Sequence, residues 1–146
     1  MSDDDRQSVT LRVHLRSAPE AVYLALSTAE GRAKFWAESA EEHDGVIAFR
    51  LSNGMTLESR VLSADPPRAF AVTYFGGSEA RFTLAGNGEG GTDLTLAETG
   101  IDPQWWAEHR AGWVSVLLTL KAAVDFGVDL RNPDPARDWD SGYADV

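Results

Sequence analysis

The sequence predicts an α+β domain: one antiparallel sheet of six strands, two short helices after the first strand, and a single long C-terminal helix crossing the sheet. Three observations carry this. Apolar residues alternate strictly at the start of the chain, five further short segments follow in a row between turn signals, and the last third carries one apolar stripe at helical spacing.

Strand 1 is read over 9–15, where Val9, Leu11, Val13 and Leu15 alternate with Thr10, Arg12 and His14. Ser17-Ala18-Pro19-Glu20 reads as an N-cap with proline in the first turn, opening a helix that buries Val22, Ala25 and Leu26. A second short helical piece starts at Ser27-Thr28 and ends near Phe35-Trp36. Asp44-Gly45 and Asn53-Gly54 are tight-turn signals bracketing a strand over 46–51. Strands over 55–64, 68–75, 79–85 and 92–99 follow, the first of them ended by Asp65-Pro66-Pro67, whose prolines cannot donate to a ladder. Successive strands joined by short turns make the sheet antiparallel.

Asp102-Pro103 opens the final helix. Its stripe runs through Trp106, His109, Trp113, Val116, Leu117, Leu120 and Val124. Continued to about Val128, such a helix is roughly 40 Å long, against about 30 Å for a strand of eight or nine residues, so one helix spans the sheet. The expected organisation is a disordered acidic N-terminus over 1–8, one domain over 9–128, and an irregular tail over 129–146 pinned to the surface by Trp139 and Tyr143.

A chain of 146 residues suffices for one core without staples. With no cysteine it has no disulfide framework, no thiol catalysis and no thiolate zinc site. A formal charge of -10 disfavours nucleic acid and anionic membrane surfaces as partners. No apolar run reaches the ~20 residues that span a bilayer. Met1-Ser2-Asp3-Asp4-Asp5 lacks the basic and apolar stretches of a signal peptide, so a cytoplasmic location is expected.

No cofactor or metal is expected. Glu41-Glu42-His43-Asp44 lies on alternating faces of an extended segment, and His14, His43 and His109 are scattered. The glycine-rich stretch over 86–91 joins two strands rather than a strand and a helix, and no serine sits in a nucleophile-elbow context.

Strand parity places Phe49, Phe70, Val72, Tyr74, Phe82, Leu84, Leu94, Leu96 and Glu98 on the inner face. Glu98 stands out as a carboxylate in phase with two leucines. Buried, it is a polar anchor at a pocket mouth; at a solvated strand end, it is an ordinary surface residue. His109 lies one turn from both Trp106 and Trp113 and pairs either with Glu98 or Tyr74 as an acid–base couple or with core groups as a structural residue. Trp105 and Trp106 are about 100° apart around the helix, so one of the two rings covers the pocket entrance, packs under the tail or fills a core corner. Trp36 faces the same choice near the opposite rim. The expected ligand-binding set is therefore Trp36, Phe49, Tyr74, Phe82, Glu98, Trp106, His109 and Trp113.

Several motifs in order resemble one family: Ser17-Ala18-Pro19-Glu20-Ala21-Val22-Tyr23, Phe35-Trp36, Asp65-Pro66-Pro67-Arg68, Gly91-Thr92-Asp93-Leu94-Thr95-Leu96, and Ala111-Gly112-Trp113 followed by Leu120-Lys121. They are similar to bacterial homologues of the C-terminal domain of the heat-shock-protein ATPase activator, within the START-like (SRPBCC) helix-grip superfamily. The tail from Arg131 to Tyr143 also resembles the ending of some bacterial members. The resemblance implies a sheet curved around the last helix, with a cavity between them that takes hydrophobic molecules in relatives.

Three functions follow as expectations. The first is binding of a small hydrophobic ligand between sheet and helix. The second is a cyclase- or hydrolase-like enzyme using Glu98, His109 or Tyr74. The third is a co-chaperone-like interaction module. The expected partners are a small hydrophobic molecule and, in a homodimer, a second copy of the chain.

Overall fold

The computed structural model describes residues 5–51 and 54–144. Asn53 of the second turn signal and residues 1–4 of the expected disordered arm lie outside the described residues. The chain runs β1 (Gln7–Leu15), α1 (Pro19–Ser27), α2 (Ala29–Arg32), β2 (Ser39–His43), β3 (Val46–Arg50), β4 (Thr56–Asp65), β5 (Ala69–Thr73), β6 (Glu79–Gly86), β7 (Thr92–Ile101) and α3 (Trp106–Phe126). All strands join one antiparallel sheet in the order β1-β7-β6-β5-β4-β3-β2.

The sheet therefore has seven strands where the sequence predicts six. The additional strand, β2, has only Ala40 buried, and its Glu41, Glu42 and His43 face solvent. It pairs on one side only, with β3, and so shows almost none of the alternation that reveals a strand. β1 likewise begins at Gln7, inside the stretch expected to be disordered. Three 3-10 turns, at Phe75–Gly77, Pro103–Trp105 and Trp139–Ser141, add to the expected helices.

One inward row crosses the sheet through Leu11, Leu96, Phe82 and Phe70, each directly opposite the next. β4 holds the curvature: its first half pairs with β3 and its second half with β5, with a register shift between Val61 and Ser63. Where β7 starts against β1, only glycine fits, since a Cβ on Gly91 would lie 2.3 Å from the Leu15 carbonyl oxygen.

The 21 residues of α3 give about 32 Å, not the 40 Å expected. The Asp102 carboxylate caps a 3-10 turn before it, accepting from the Gln104 amide at 2.9 Å. Gly127 ends it in the left-handed conformation (φ 65°), with the Gly127 and Val128 amides returning to the carbonyls of Ala123 and Ala122.

Ser17 does not cap α1; Ala18 holds that position. Instead the Ser17 hydroxyl lies 2.7 Å from Asp125 Oδ1 and 2.8 Å from the Val124 carbonyl, tying the end of α3 to β1. Asp125 also accepts from the amides of Arg16 (2.9 Å) and Ser17 (3.0 Å). Burial alone would raise the Asp125 carboxyl, but these donors and Lys121 hold it below its ordinary value.

The tail is held by a different residue than expected. Trp139 and Tyr143 remain half exposed, while Arg131 donates to the carbonyls of Ala37 (2.7 Å) and Ala33 (2.8 Å). A guanidinium satisfies two carbonyls at once, which neither ring can do.

Candidate functional site

Glu98 lies on β7 between Val9 and Ala80 of the neighbouring strands and is fully buried. A buried carboxylate needs donors, and it has three. Ser78 Oγ donates at 2.6 Å, Trp113 Nε1 at 2.7 Å, and His109 Nδ1 lies 2.9 Å from both carboxylate oxygens. The donors come from different elements: Ser78 follows the turn after β5, and His109 and Trp113 sit one turn apart on α3. Glu98 thus bolts the N-terminal half of α3 to the sheet.

The His109 side chain keeps 15% exposure, and among the described residues its Nε2 takes no protein partner. With Nδ1 held by a carboxylate, the ring is oriented and Nε2 is presented outward, an arrangement suited to accepting a hydrogen bond or relaying a proton.

Beyond Glu98 the aromatic rings close on one another. Trp113 lies 4.6 Å from Tyr74, 5.7 Å from Phe82 and 6.0 Å from Trp36 between ring centroids. Trp36 in turn lies 4.8 Å from Phe49 and 5.5 Å from Phe82. These are contact separations for aromatic pairs. Trp36 Nε1 donates to the Tyr74 hydroxyl at 3.3 Å. Burial, with Glu98 adding to it and the Trp36 bond opposing, pushes the Tyr74 phenol up to about 12.

Seven of the eight residues expected at the site form this one cluster. Trp106 does not join it: its indole N–H donates to the Ser8 carbonyl at 2.9 Å, over the edge of β1. Trp105 is 49% exposed and lines neither of the two surface concavities. The volume reserved for a guest is occupied by the rings themselves. Two concavities among the described residues open at the surface. One, of about 240 Å³, is lined by residues including Ala33, Lys34, Ala123 and Arg131; the other, of about 90 Å³, lies between β1 and α3. Both are smaller than the roughly 300 Å³ at which small-molecule pockets begin.

Sequence reasoning missed five contributors. Ser78 sits in an irregular turn, where periodicity carries no signal. Arg32 is buried and donates to the Ala40 carbonyl (2.8 and 3.2 Å) and the Leu26 carbonyl (3.1 Å); burial lowers its pKa, with Glu42 and Glu41 opposing. Arg32 and Arg131 together grip the backbone on either side of Trp36 and set its ring into the cluster. Tyr23 and Ser59 are buried with hydroxyls that take no partner among the described residues. Burial, then Asp65, raises the Tyr23 phenol.

Among the described residues, no three His, Cys, Asp or Glu side chains gather as a metal site, and no helix is long and apolar enough to cross a membrane.

The sequence profile of the family described as Activator of Hsp90 ATPase homolog 1-like protein matches residues 16–125. No curated protein matches the sequence. Among solved structures, the Aha1 dimer from Colwellia psychrerythraea is similar at TM-score 0.74 and 23% identity, over 83% of this chain and 98% of that one. A protein from Staphylococcus saprophyticus is similar at TM-score 0.75 and 23% identity, over 86% and 96%. A third, from Chromobacterium violaceum, reaches TM-score 0.68 and 26% identity, over 81% and 97%.

Proposed function

Because this chain belongs to the family of Activator of Hsp90 ATPase homolog 1-like proteins, we propose that it is a co-chaperone-like binding module that acts from its surface, as a homodimer, on a chaperone of the Hsp90 ATPase type. The observation that carries this reading is the filled interior: the rings of Trp36, Phe49, Tyr74, Phe82 and Trp113 meet one another where a receptor would keep space. The Glu98 cluster then has a mechanical role, holding α3 on the sheet so that the outer surface keeps its shape. The homodimer is supported by the dimer described for the similar Colwellia protein.

The test is phosphate release by the Hsp90-type ATPase of the same organism, with and without the chain. Saturable stimulation or inhibition is expected. No effect together with no binding by calorimetry overturns the reading.

A second reading keeps a small hydrophobic guest, admitted between sheet and α3 when Trp36 and Tyr74 swing aside. It is favoured by the buried hydroxyls of Tyr23 and Ser59, two polar atoms without a protein partner, which a guest could satisfy. Glu98 and His109 would anchor its polar end, with Trp36, Phe49, Tyr74, Phe82 and Trp113 around it. An apolar compound that copurifies and raises the melting temperature supports it; a chain that emerges empty and gains no stability from such compounds speaks against it.

A further inference from the structure

We infer that the β1 edge and the outer face of α3 form the surface on which a second copy of this chain docks, about a two-fold axis passing Leu11. The inference rests on the homodimer reading and supplies its interface.

β1 is an edge strand of nine residues, long for an edge that is left open. Its Leu15 carbonyl points towards Gly91 at the start of β7. By the alternation of an antiparallel ladder, the backbone groups of even-numbered residues then point away from the sheet. Those near the ends of the strand are taken by α3: Trp106 donates to the Ser8 carbonyl, Lys121 to the His14 carbonyl, and Asp125 accepts from the Arg16 amide. The amides and carbonyls of Thr10 and Arg12 are left between these clamps.

Beside that gap runs a shallow groove lined by Leu11, Arg12, Val13, Val114, Leu117 and Leu118, apolar but for Arg12. Val114 is 36% and Leu118 50% exposed. With exposed Ala107 and Ala111 they form an uncovered stripe at 4-3-4 spacing, the seam along which two helices meet.

A second β1, antiparallel about Leu11, places Thr10 opposite Arg12 and Arg12 opposite Thr10. All four open backbone groups of each strand are then paired, and no like charges stand directly opposite. The same axis lays the Val114–Leu118 face of one α3 beside that of its copy, so the contact is isologous and closes at two. Growth from the other edge is blocked, because β2 carries the exposed, adjacent Glu41 and Glu42.

Light scattering on the full chain, combined with two sets of variants, tests this. The wild type is expected at twice the 15.9 kDa chain mass. Leu118→Glu is expected at the chain mass with an unchanged circular-dichroism spectrum. The chain has no cysteine, so a Thr10→Cys, Arg12→Cys double variant reports the register: under mild oxidation it should give a covalent dimer, and either single variant alone should not. A wild-type monomer at high micromolar concentration overturns the homodimer reading and this surface together. A wild-type dimer that Leu118→Glu leaves intact, or cross-linking by the single variants but not the double, overturns the surface alone.

Discussion

The inner and outer faces of α3 differ in how completely their groups are satisfied. On the inner face the Glu98 carboxylate accepts from three donors, and the five aromatic rings fill the space against the sheet. On the outer face Val114 and Leu118 stand exposed beside the edge strand β1, where among the described residues no strand pairs with Thr10 and Arg12 from outside. A residue that is saturated contributes to stability, whereas one left unsatisfied is available for recognition. The difference assigns the two jobs of the helix to opposite sides.

Substitutions should separate the two faces. Trp113→Ala, which empties the centre of the ring cluster and strands Glu98, should cost roughly 3–5 kcal/mol in denaturant unfolding. Glu98→Gln keeps an acceptor for one donor and misplaces the amide against the others, so it should cost about 1–3 kcal/mol, read the same way. A Glu98→Gln chain as stable as the wild type would show that the inner face is not the mechanical anchor.

At the far end of α3 the prediction depends on pH. The Asp125 carboxyl is held below its ordinary value, so its contribution is fully present above the unfolded value of about 3.9 and is lost as pH falls through the folded one. Asp125→Asn should lower stability by about 1–2 kcal/mol at neutral pH and flatten the loss of melting temperature on acidification. Tyr74 gives the opposite sign. Its phenol, raised to about 12, makes the folded state lose stability as pH climbs from about 10, where the unfolded phenol ionises. Tyr74→Phe should reduce that alkaline slope in a thermal scan, leaving the share carried by the Tyr23 phenol, which burial also raises. The smallest effect on stability belongs to the outer face: Leu118→Glu should shift unfolding by no more than about 0.5 kcal/mol while changing the association state.

The parts that sequence made legible are those governed by period. Glu98 shares the parity of Leu94 and Leu96, and His109 and Trp113 share one helical stripe, so phase turns them towards one another while leaving open whether Glu98 is buried and which partner His109 takes. What phase does not carry is depth. Periodicity says which way Trp36, Tyr74 and Phe82 point, but the space left between them depends on ring sizes and on the distance of α3 from the sheet, and the rings consume it. Trp106 was on the right stripe and still turned aside, because the Ser8 carbonyl at the edge offers its indole a partner. β2 escaped notice since an edge strand with one buried residue has no alternation to read. Ser78, Arg32 and Arg131 act through backbone carbonyls or irregular turns, for which composition leaves no mark.

The indole N–H groups of Trp113, bonded to Glu98, and of Trp36, bonded to Tyr74, are the most direct reporters on whether the interior is closed. Their resonances in a nitrogen–proton correlation spectrum should stay in place when the labelled protein is titrated with fatty acids and aromatic polyketides. A saturable shift of both indole signals with any such compound would contradict a closed interior and return the site to a receptor role.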